Sequence, residues 1–349
     1  MNPERREAWS ARSLRETDLA FAFLAFIGGA IVSLATSWVL VTRLERVGER
    51  FGLSEALLGV VAALGADAPE ITSSVTALAQ HQRVIGAGVV IGSNAFNLAA
   101  LLGLGAVVSA FIALHRRVVV LGGVVAMWIA TWCVLAATGV VGALLGLILS
   151  ATVLVVYVVT LGLRRELRDR LALPRGLRSW LSSAIDEEEL ELQESIRPPR
   201  GRPVDTAAVF GALIVVVLSS VAMEHGASSL GRHFHIADAV VGGVILAAVT
   251  SLPNAVAAVH LAAKGRGAAA LSTALMSNNL NVVAGLLIPG AIVGLSRPSF
   301  AGNFTALTYL VLTAVVLVLA FARRGLGRLS GSFIIVGYVA FVIWLIAAT

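Results

Sequence analysis

The stretch Ala62-Ala-Leu-Gly-Ala-Asp-Ala-Pro-Glu70, followed by Gly92-Ser-Asn-Ala-Phe-Asn97, places two acids inside apolar sequence long enough to span a membrane. A charge at membrane depth costs about 2.5–3.5 kcal/mol or more, so Asp67 and Glu70 are candidate functional residues. We expect no other acid at that depth. Pro69 lacks a backbone N–H and clashes with the preceding turn, so the helix should break just before it and restart with it. Carboxylates at a broken helix are typical of the ion sites of transporters.

The pattern occurs twice. A shift of 184 residues aligns the chain with itself without a gap. The aligned pairs include Ala63 and Ala247, Pro69 and Pro253, Ser93 and Ser277, Asn94 and Asn278, and Asn97 and Asn281. The second copy reads Thr250-Ser-Leu-Pro-Asn254 and then Ser277-Asn-Asn-Leu-Asn281. We therefore predict a duplicated unit with one site at the interface between the two repeats.

The composition indicates a polytopic membrane protein. Hydrophobic residues make up 58% of the 349-residue chain and charged residues 13%, about half the charged share of an ordinary soluble domain. The net charge of +6 comes from arginines between the apolar segments, which the positive-inside rule explains without a nucleic-acid partner. The single cysteine, Cys133, excludes a disulfide within the chain, and residues 1–17 lack the apolar core of a cleavable signal peptide.

Ten segments are long and apolar enough to span a bilayer. They are residues 18–42, 53–80, 84–114, 118–137, 140–163, 205–225, 237–263, 267–295, 302–322 and 329–348. Because each half holds an odd number of spans, the second half must run with the opposite membrane orientation. We predict an all-α polytopic membrane protein: ten transmembrane helices as two inverted five-helix repeats, with broken helices at the ion site. The expected units are an N-terminal tail (1–17), a first repeat (18–163), a linker (164–204) and a second repeat (205–349).

Basic residues predict the orientation. If the 164–204 linker is cytoplasmic, that side holds 19 of the 26 lysines and arginines, and both termini face outward. A single lysine beside 25 arginines is typical of a GC-rich bacterial genome, which suggests the bacterial plasma membrane. The linker runs from a basic segment, 164–170, to an acidic one, 186–194. We expect a solvated segment with a short amphipathic helix against the anionic inner leaflet, which makes membrane lipid a partner.

The polar residues near the two acids offer only oxygen ligands. They are the carboxylates of Asp67 and Glu70, the hydroxyls of Thr250 and Ser251, and the amides of Asn97, Asn254 and Asn281. Backbone carbonyls freed at the helix breaks, around Ala63 and Ala247, can add further ligands. Such donors suit hard cations, so Ca²⁺, Na⁺ or H⁺ are the expected transported ions. Two neighbouring carboxylates should also titrate as one coupled unit, as cation/proton exchange requires.

Structural roles are the competing interpretations. The acids could cap the restarted helix, and Ser93, Asn94 and Asn97 could simply join helices by hydrogen bonds. Duplication of the motif favours a site over both. The histidines are expected to be surface or structural residues; they include His225, His233, His235 and His260. The sequence contains no phosphate-binding glycine loop, no nucleophile paired with a base and no ATPase element, so we expect neither an enzyme nor a cofactor, and inorganic cations as partners.

With these motifs the chain resembles the cation/calcium antiporter superfamily, of the sodium/calcium exchanger type. Gly65-Ala-Asp-Ala-Pro-Glu70 with residues 92–97 is similar to the family's Gly-x-Ser-x-Pro-Glu and Gly-Ser-Asn-x-x-Asn, and residues 250–254 are similar to its Thr-Ser-x-Pro-Glu. The resemblance covers nearly the whole chain and implies that Glu70 is the principal cation carboxylate. It implies further ligands from Ser93, Asn97, Thr250, Ser251, Ser277, Asn281 and the carbonyls of Ala63 and Ala247.

The chain departs from the family pattern at two positions. Asn254 stands where the family generally has an acid, and Asp67 stands where it usually has a hydroxyl, so both carboxylates come from one half. The leading hypothesis is a secondary active antiporter that exchanges Ca²⁺ or another cation for Na⁺ or H⁺ by alternating access. The alternatives are a monovalent Na⁺/H⁺ or K⁺/H⁺ exchanger on the same scaffold, and a non-transporting membrane protein that retains the fold.

Overall fold

The computed structural model describes residues 3–53, 55–162, 174–193, 201–295 and 297–349, which are almost entirely helical. The helices are α1 (Pro3–Arg50), α2 (Glu55–Ala66), α3 (Ala68–Ala79), α4 (Arg83–Val108), α5 (Arg116–Ala137), α6 (Ala143–Gly162), α7 (Arg175–Gln193), α8 (Pro203–His233), α9 (Asp238–Thr250), α10 (Leu252–Ala263), α11 (Gly267–Leu280, continued by Asn281–Leu287 and Ile288–Val293), α12 (Phe300–Arg323) and α13 (Arg328–Ala348). Two short strands, β1 (Phe111–Ala113) and β2 (Gly325–Gly327), pair antiparallel.

Eight helices of the described chain are long and apolar enough to cross a membrane. They are α1, α4, α5, α6, α8, α11, α12 and α13. A ninth span is added if α9 and α10, which meet at a 49° bend, are taken together. The one predicted segment not yet accounted for, 53–80, corresponds to α2 and α3, which are separated only at Asp67. The total of ten spans and the inverted relation of the two halves stay predictions.

Both helix breaks fall where the prolines predict them, and each is one residue wide, at Asp67 or Ser251. The breaks do not free the carbonyls of Ala63 and Ala247 from helical hydrogen bonds, but each oxygen keeps a second lone pair, and its role as a ligand stays a prediction. The carbonyl of Ala63 accepts a hydrogen bond from the Asp67 N–H at 2.8 Å, and that of Ala247 accepts one from Ser251 at 3.2 Å. The physical reason is that the break residues keep right-handed helical dihedral angles, so the helical hydrogen bonds continue up to the restart.

Several span boundaries differ from the prediction, and α1 also ends at Arg50 rather than at 42. α1 begins at Pro3, so the predicted tail 1–17 is not set apart by a helix end at residue 18. α4 ends at Val108 rather than 114, because residues 111–113 pair with Gly325–Gly327 and satisfy their backbone groups as a strand. α8 continues to His233 rather than ending at 225, which places Glu224 well inside the helix.

One end of the bundle collects the segments that the basic residues assign to the cytoplasm. The β1–β2 pairing joins the segment after α4 to the segment after α12. The end of α1 is tied to the start of α8, where Arg43 Nη1 lies 2.5 Å from Asp205 Oδ1 and Arg46 Nη1 lies 3.8 Å from it. These contacts therefore join helix ends that the basic residues assign to the same side of the membrane.

The described part of the linker is the helix α7, which is not wholly solvated as predicted. Ala184 and Ile185 are fully buried against the bundle, so the helix packs on the protein. The basic run 164–170 and residues 198–200 lie outside the described residues. The acidic run is described only as backbone that remains helical through Gln193.

The two central helices, α4 and α11, are the most buried of the eight spans: 72% and 67% of the residues in their most apolar stretches lie inside the protein. Small residues permit this packing. A Cβ atom on Gly92 would lie 2.2 Å from the carbonyl oxygen of Gly243, so the α4 and α9 backbones touch there. This close contact brings the Ser-Asn-x-x-Asn motif of α4 against the second half.

Candidate cation-binding site

Asp67 and Glu70 are both fully buried where α2 meets α3. Asp67 is the residue between the two helices, and Glu70 stands in the first turn of α3, where the helix dipole favours an acid. Within the described chain, no lysine or arginine hydrogen-bonds or ion-pairs with either carboxylate. An uncompensated buried charge is strongly unfavourable, so the pair requires a proton or a cation.

Within the described structure, every side-chain hydrogen bond to the two carboxylates comes from the second half of the chain. Asn254 Nδ2 donates to Asp67 Oδ1 at 2.6 Å and lies 3.5 Å from Glu70 Oε1. Ser277 Oγ donates to the same Asp67 oxygen at 2.6 Å, and Asn281 Nδ2 donates to Glu70 Oε2. The acids of one half are thus held by neutral donors of the other, and the site spans the contact between them.

Several buried oxygens around the carboxylates have no hydrogen-bond partner in the described structure. They are Asp67 Oδ2, Asn97 Oδ1 and Asn281 Oδ1. Buried oxygens normally accept a hydrogen bond, so an oxygen without a donor is available to bind a cation. Carboxylate and amide oxygens are what Ca²⁺ and other hard cations bind.

The asparagines of the two halves exchange hydrogen bonds reciprocally. Asn94 Nδ2 donates to the Asn278 carbonyl at 3.1 Å, and Asn278 Nδ2 donates to the Asn94 carbonyl at 3.1 Å. In the same way, Asn97 Nδ2 donates to Asn278 Oδ1 at 3.1 Å, and Asn281 Nδ2 donates to Asn94 Oδ1 at 3.3 Å. The 184-residue shift aligns Asn94 with Asn278 and Asn97 with Asn281, so it exchanges the two bonds of each pair. The motifs therefore pack against each other as near-equivalents.

Two of the other predicted residues, Ser93 and Thr250, direct their hydroxyls to backbone carbonyls. Ser93 Oγ lies 3.4 Å from the Ala247 carbonyl, and Thr250 Oγ1 donates to the Leu246 carbonyl at 2.8 Å. Their hydroxyls therefore serve the backbone, not the carboxylates. Every residue predicted for the site is buried, which includes Ala63 and Ser251.

Departures from regular α-helix occur beside the site. π-helical segments cover Leu98–Leu104, directly after Asn97, and Asn281–Leu287, which begins at the site asparagine itself. A third covers Val241–Leu246, just before Ala247. Such segments are rare and are frequent at functional sites. The first two occupy nearly equivalent positions in the two repeats.

Sequence reasoning missed that Glu224 is buried, as Asp205 also is. Glu224 is fully buried in α8. The expectation that only Asp67 and Glu70 lie at membrane depth stays a prediction, because burial inside the protein does not measure that depth. Ser228 Oγ donates to its Oε1 at 2.8 Å, and His225 Nδ1 lies 3.5 Å from its Oε2. The spacing of Glu224 and Ser228, one helical turn apart, was the available signal, but the span was ended too early to use it.

A cavity of about 420 Å³ extends from Asn254 of the site to Glu45. Glu45 lies close in sequence to Arg43 and Arg46, at the end of the bundle that we call the basic end. The cavity lies between α1, α2 and α10, and its lining runs from Glu45 and His260 to Asn254. His260, expected to be structural, is exposed and faces this cavity. The remaining predicted surface histidines His225, His233 and His235 are exposed.

Comparison with known sequences gives a family. The profile of the family described as "Sodium/calcium exchanger protein" matches residues 21–164 and 205–347. Sodium/potassium/calcium exchanger 2 of Gallus gallus is 29% identical over 188 residues, which are 52% of this chain and 27% of that protein. The chain thus matches about a quarter of that relative's length. The protein CaxA of Alkalimonas amylolytica is 26% identical over 310 residues, 84% of this chain and 89% of that protein.

Solved structures share the fold. An H⁺/Ca²⁺ exchanger, CAX, superposes with a TM-score of 0.69 at 12% identity, covering 94% of this chain and 86% of that one. The sodium-calcium exchanger NCX_Mj superposes with a TM-score of 0.60 at 19% identity, covering 93% of this chain and 99% of that one. The family profile matches both halves of the chain and leaves out the linker between them. The chain therefore belongs to the sodium/calcium exchanger protein family.

Proposed function

We propose that this multi-pass membrane protein is a secondary active antiporter that exchanges Ca²⁺ or another cation for Na⁺ or H⁺ by alternating access. As a member of an exchanger family it is a transporter and not an enzyme. The observation that carries the proposal is the buried pair Asp67 and Glu70, which has no basic partner in the described chain. A bound cation or proton supplies the missing positive charge, and exchange between them is transport.

The placement of the ligands supports alternating access. The carboxylates belong to the first half, and their donors, Asn254, Ser277 and Asn281, belong to the second. A cation that takes oxygens from both sides therefore depends on how the halves meet. Asparagine side chains can turn their amide oxygens to a cation and their N–H groups to a carboxylate, so one residue serves both the loaded and the unloaded site.

We also infer that the two halves are inverted repeats and that the chain crosses the membrane ten times. The reciprocal bonds between Asn94 and Asn278 support this, because they relate equivalent positions as a pseudo-two-fold axis would. An axis in the membrane plane is typical of inverted repeats. In this arrangement the linker is cytoplasmic, both termini face outward, and the membrane is the bacterial plasma membrane.

A second candidate function is exchange of Na⁺ or K⁺ for H⁺. Asn254 favours it, because an amide occupies the position where the resemblance implies a second-half acid. Its N–H group lies between Asp67 and Glu70. With both acids on one side, the other side offers only neutral ligands, and this weaker field suits a monovalent ion better than Ca²⁺.

The decisive experiment is cation flux in proteoliposomes under opposed Ca²⁺, Na⁺, K⁺ and proton gradients. We expect Glu70→Gln to abolish exchange while the protein still purifies as a folded species, because one of the two charges that hold the ion is gone. Glu49→Gln, which neutralises an exposed acid of α1, is the matched control and should leave flux unchanged. Equal flux in Glu70→Gln and parent would reject the site.

The gradients that drive flux in the parent separate the calcium and monovalent alternatives, and no flux at all favours a non-transporting protein.

A further inference from the structure

The cavity between α1, α2 and α10 links the basic end of the bundle to the carboxylate pair. Asn254, which donates to Asp67 and lies beside Glu70, forms part of its wall. Since a water in the liquid occupies about 30 Å³, a volume of about 420 Å³ holds roughly a dozen waters, which is enough for a hydrated cation. Two further cavities, beside Asp18 and beside Val84, are lined by none of the predicted site residues.

Glu45 is the acid among the described residues that line this cavity. It is half-buried and makes no hydrogen bond or ion pair within the described chain. Its neighbours Arg43 and Arg46 lie on another face of α1, where both approach Asp205. The cavity face of α1 carries Trp38, Val41, Thr42 and Glu45 at helical spacing. The lining contains no lysine or arginine, so Glu45 sets the sign of its charge.

We propose that this cavity is the path along which the cation reaches Asn254 from the basic end, and that the Glu45 carboxylate attracts the cation into it. The inference rests on the proposed function for the nature of the ion. Its physical basis is independent of that function. An end of the bundle rich in arginine repels cations, and a carboxylate facing the cavity without a partner reverses the local potential.

The first test measures apparent affinity from each side of the membrane in oriented proteoliposomes. A charge about 10 Å from a cation in water changes its local concentration about twofold for a monovalent and about fourfold for a divalent ion. We expect Glu45→Gln to raise KM by about that factor for cation supplied at the basic end, with kcat and the KM from the opposite side unchanged. The effect should fade at 1 M salt, where the Debye length is about 3 Å. Glu49→Gln, one turn further along α1 and exposed, is the control.

The second test needs no transport. Ala257→Cys places a thiol in the cavity wall, and the native Cys133 is buried. We expect a cationic thiol reagent to react with it faster than an anionic one, and Glu45→Gln to lower that ratio about twofold or more. The ratio at an opposite-end control, His235→Cys, should not change.

Two outcomes overturn the inference: Glu45→Gln leaves both the sided KM and the reagent ratio unchanged, or the thiol at 257 resists both reagents because an apolar molecule fills the cavity. If Glu70→Gln also retains flux, the proposed function fails instead. The reagent ratio still decides whether Glu45 controls access to the cavity.

Discussion

Asn254 is the residue on which the two carboxylates depend. Its amide Nδ2 lies 2.6 Å from Asp67 and 3.5 Å from Glu70, so it is the one donor placed beside both acids, while Ser277 and Asn281 donate to one acid each. A hydrogen bond to a charged group contributes about 1.5–3 kcal/mol, and a cation contributes more. The amide therefore stabilises the site without fixing which ion completes it.

Moving one carboxylate to the second half should change ion selectivity. In the double variant Asn254→Glu with Asp67→Ser, the formal charge is kept but each half contributes one acid. We expect Ca²⁺ affinity relative to Na⁺ to rise about tenfold, which corresponds to about 1.4 kcal/mol. Calorimetric titration with both ions checks this, and Asn254→Gln, which keeps the amide, is the control. Unchanged selectivity would mean that Asp67 already replaces the second-half acid in function.

Asp67 should also determine the pH dependence of exchange. Two buried carboxylates that interact titrate as one coupled unit, so their protons come off over a shared range. We expect Asp67→Asn to displace the pH profile of transport and to make it shallower, because only Glu70 then titrates and the repulsion on it is removed. Flux measured over a pH series in proteoliposomes checks this. An unchanged profile would show that protons enter the transport cycle at another residue.

At the scale of elements, backbone contact between helices positions the site. α4 carries Ser93, Asn94 and Asn97, and it reaches the second half because Gly92 lies against Gly243. In a membrane there is little hydrophobic gain from bringing helices together, so close approach of small residues stabilises the contact. The reciprocal asparagine bonds then fix the register.

Gly92→Ala should disrupt this contact. The added Cβ would lie 2.2 Å from the Gly243 carbonyl oxygen, which is backbone and cannot move aside alone. Overpacking costs about 1–3 kcal/mol or more, so we expect a lower melting temperature in detergent and loss of cation binding. Gly28→Ala is the matched control, since nothing lies within 4 Å of its added Cβ. Equal melting temperatures would show that α4 and α9 can separate without cost.

At the scale of the whole molecule, the ends of the bundle differ in charge and in access. Ion pairs from Arg43 and Arg46 to Asp205, the β1–β2 pairing and the helix α7 all belong to one end. The cavity beside Glu45 opens at the same end. The side that the positive-inside rule assigns to the cytoplasm is thus also the side from which we propose that the cation reaches the site.

Labelling of single cysteines tests this orientation. We expect Ser183→Cys, on the α7 helix of the linker, to react with a membrane-impermeant thiol reagent only after intact cells are opened. His235→Cys, at the exposed end of α8, should react in intact cells. The reverse pattern would invert the topology and leave the repeat and the site as they are.

Much of the architecture could be predicted from local physics. Long apolar segments, prolines at the breaks and the 184-residue repeat predicted helices close to those observed, and α2 ends and α3 restarts around Asp67. The errors have local causes too. α4 was extended through Phe111–Ala113, because an apolar tripeptide reads as helix until its partner strand β2 is known.

The sequence by itself determined which residues are chemically able to form a site, because buried acids, prolines and duplicated asparagines are properties of the chain. Only the tertiary structure decided how they meet. Asn254 donates to acids 187 and 184 residues away, while Thr250 and Ser93 turn to backbone carbonyls. It also decided that Glu224 is buried and that Glu45 faces the cavity. The reason is that the orientation and burial of a side chain depend on neighbours brought together by helix packing, and no local pattern records those neighbours.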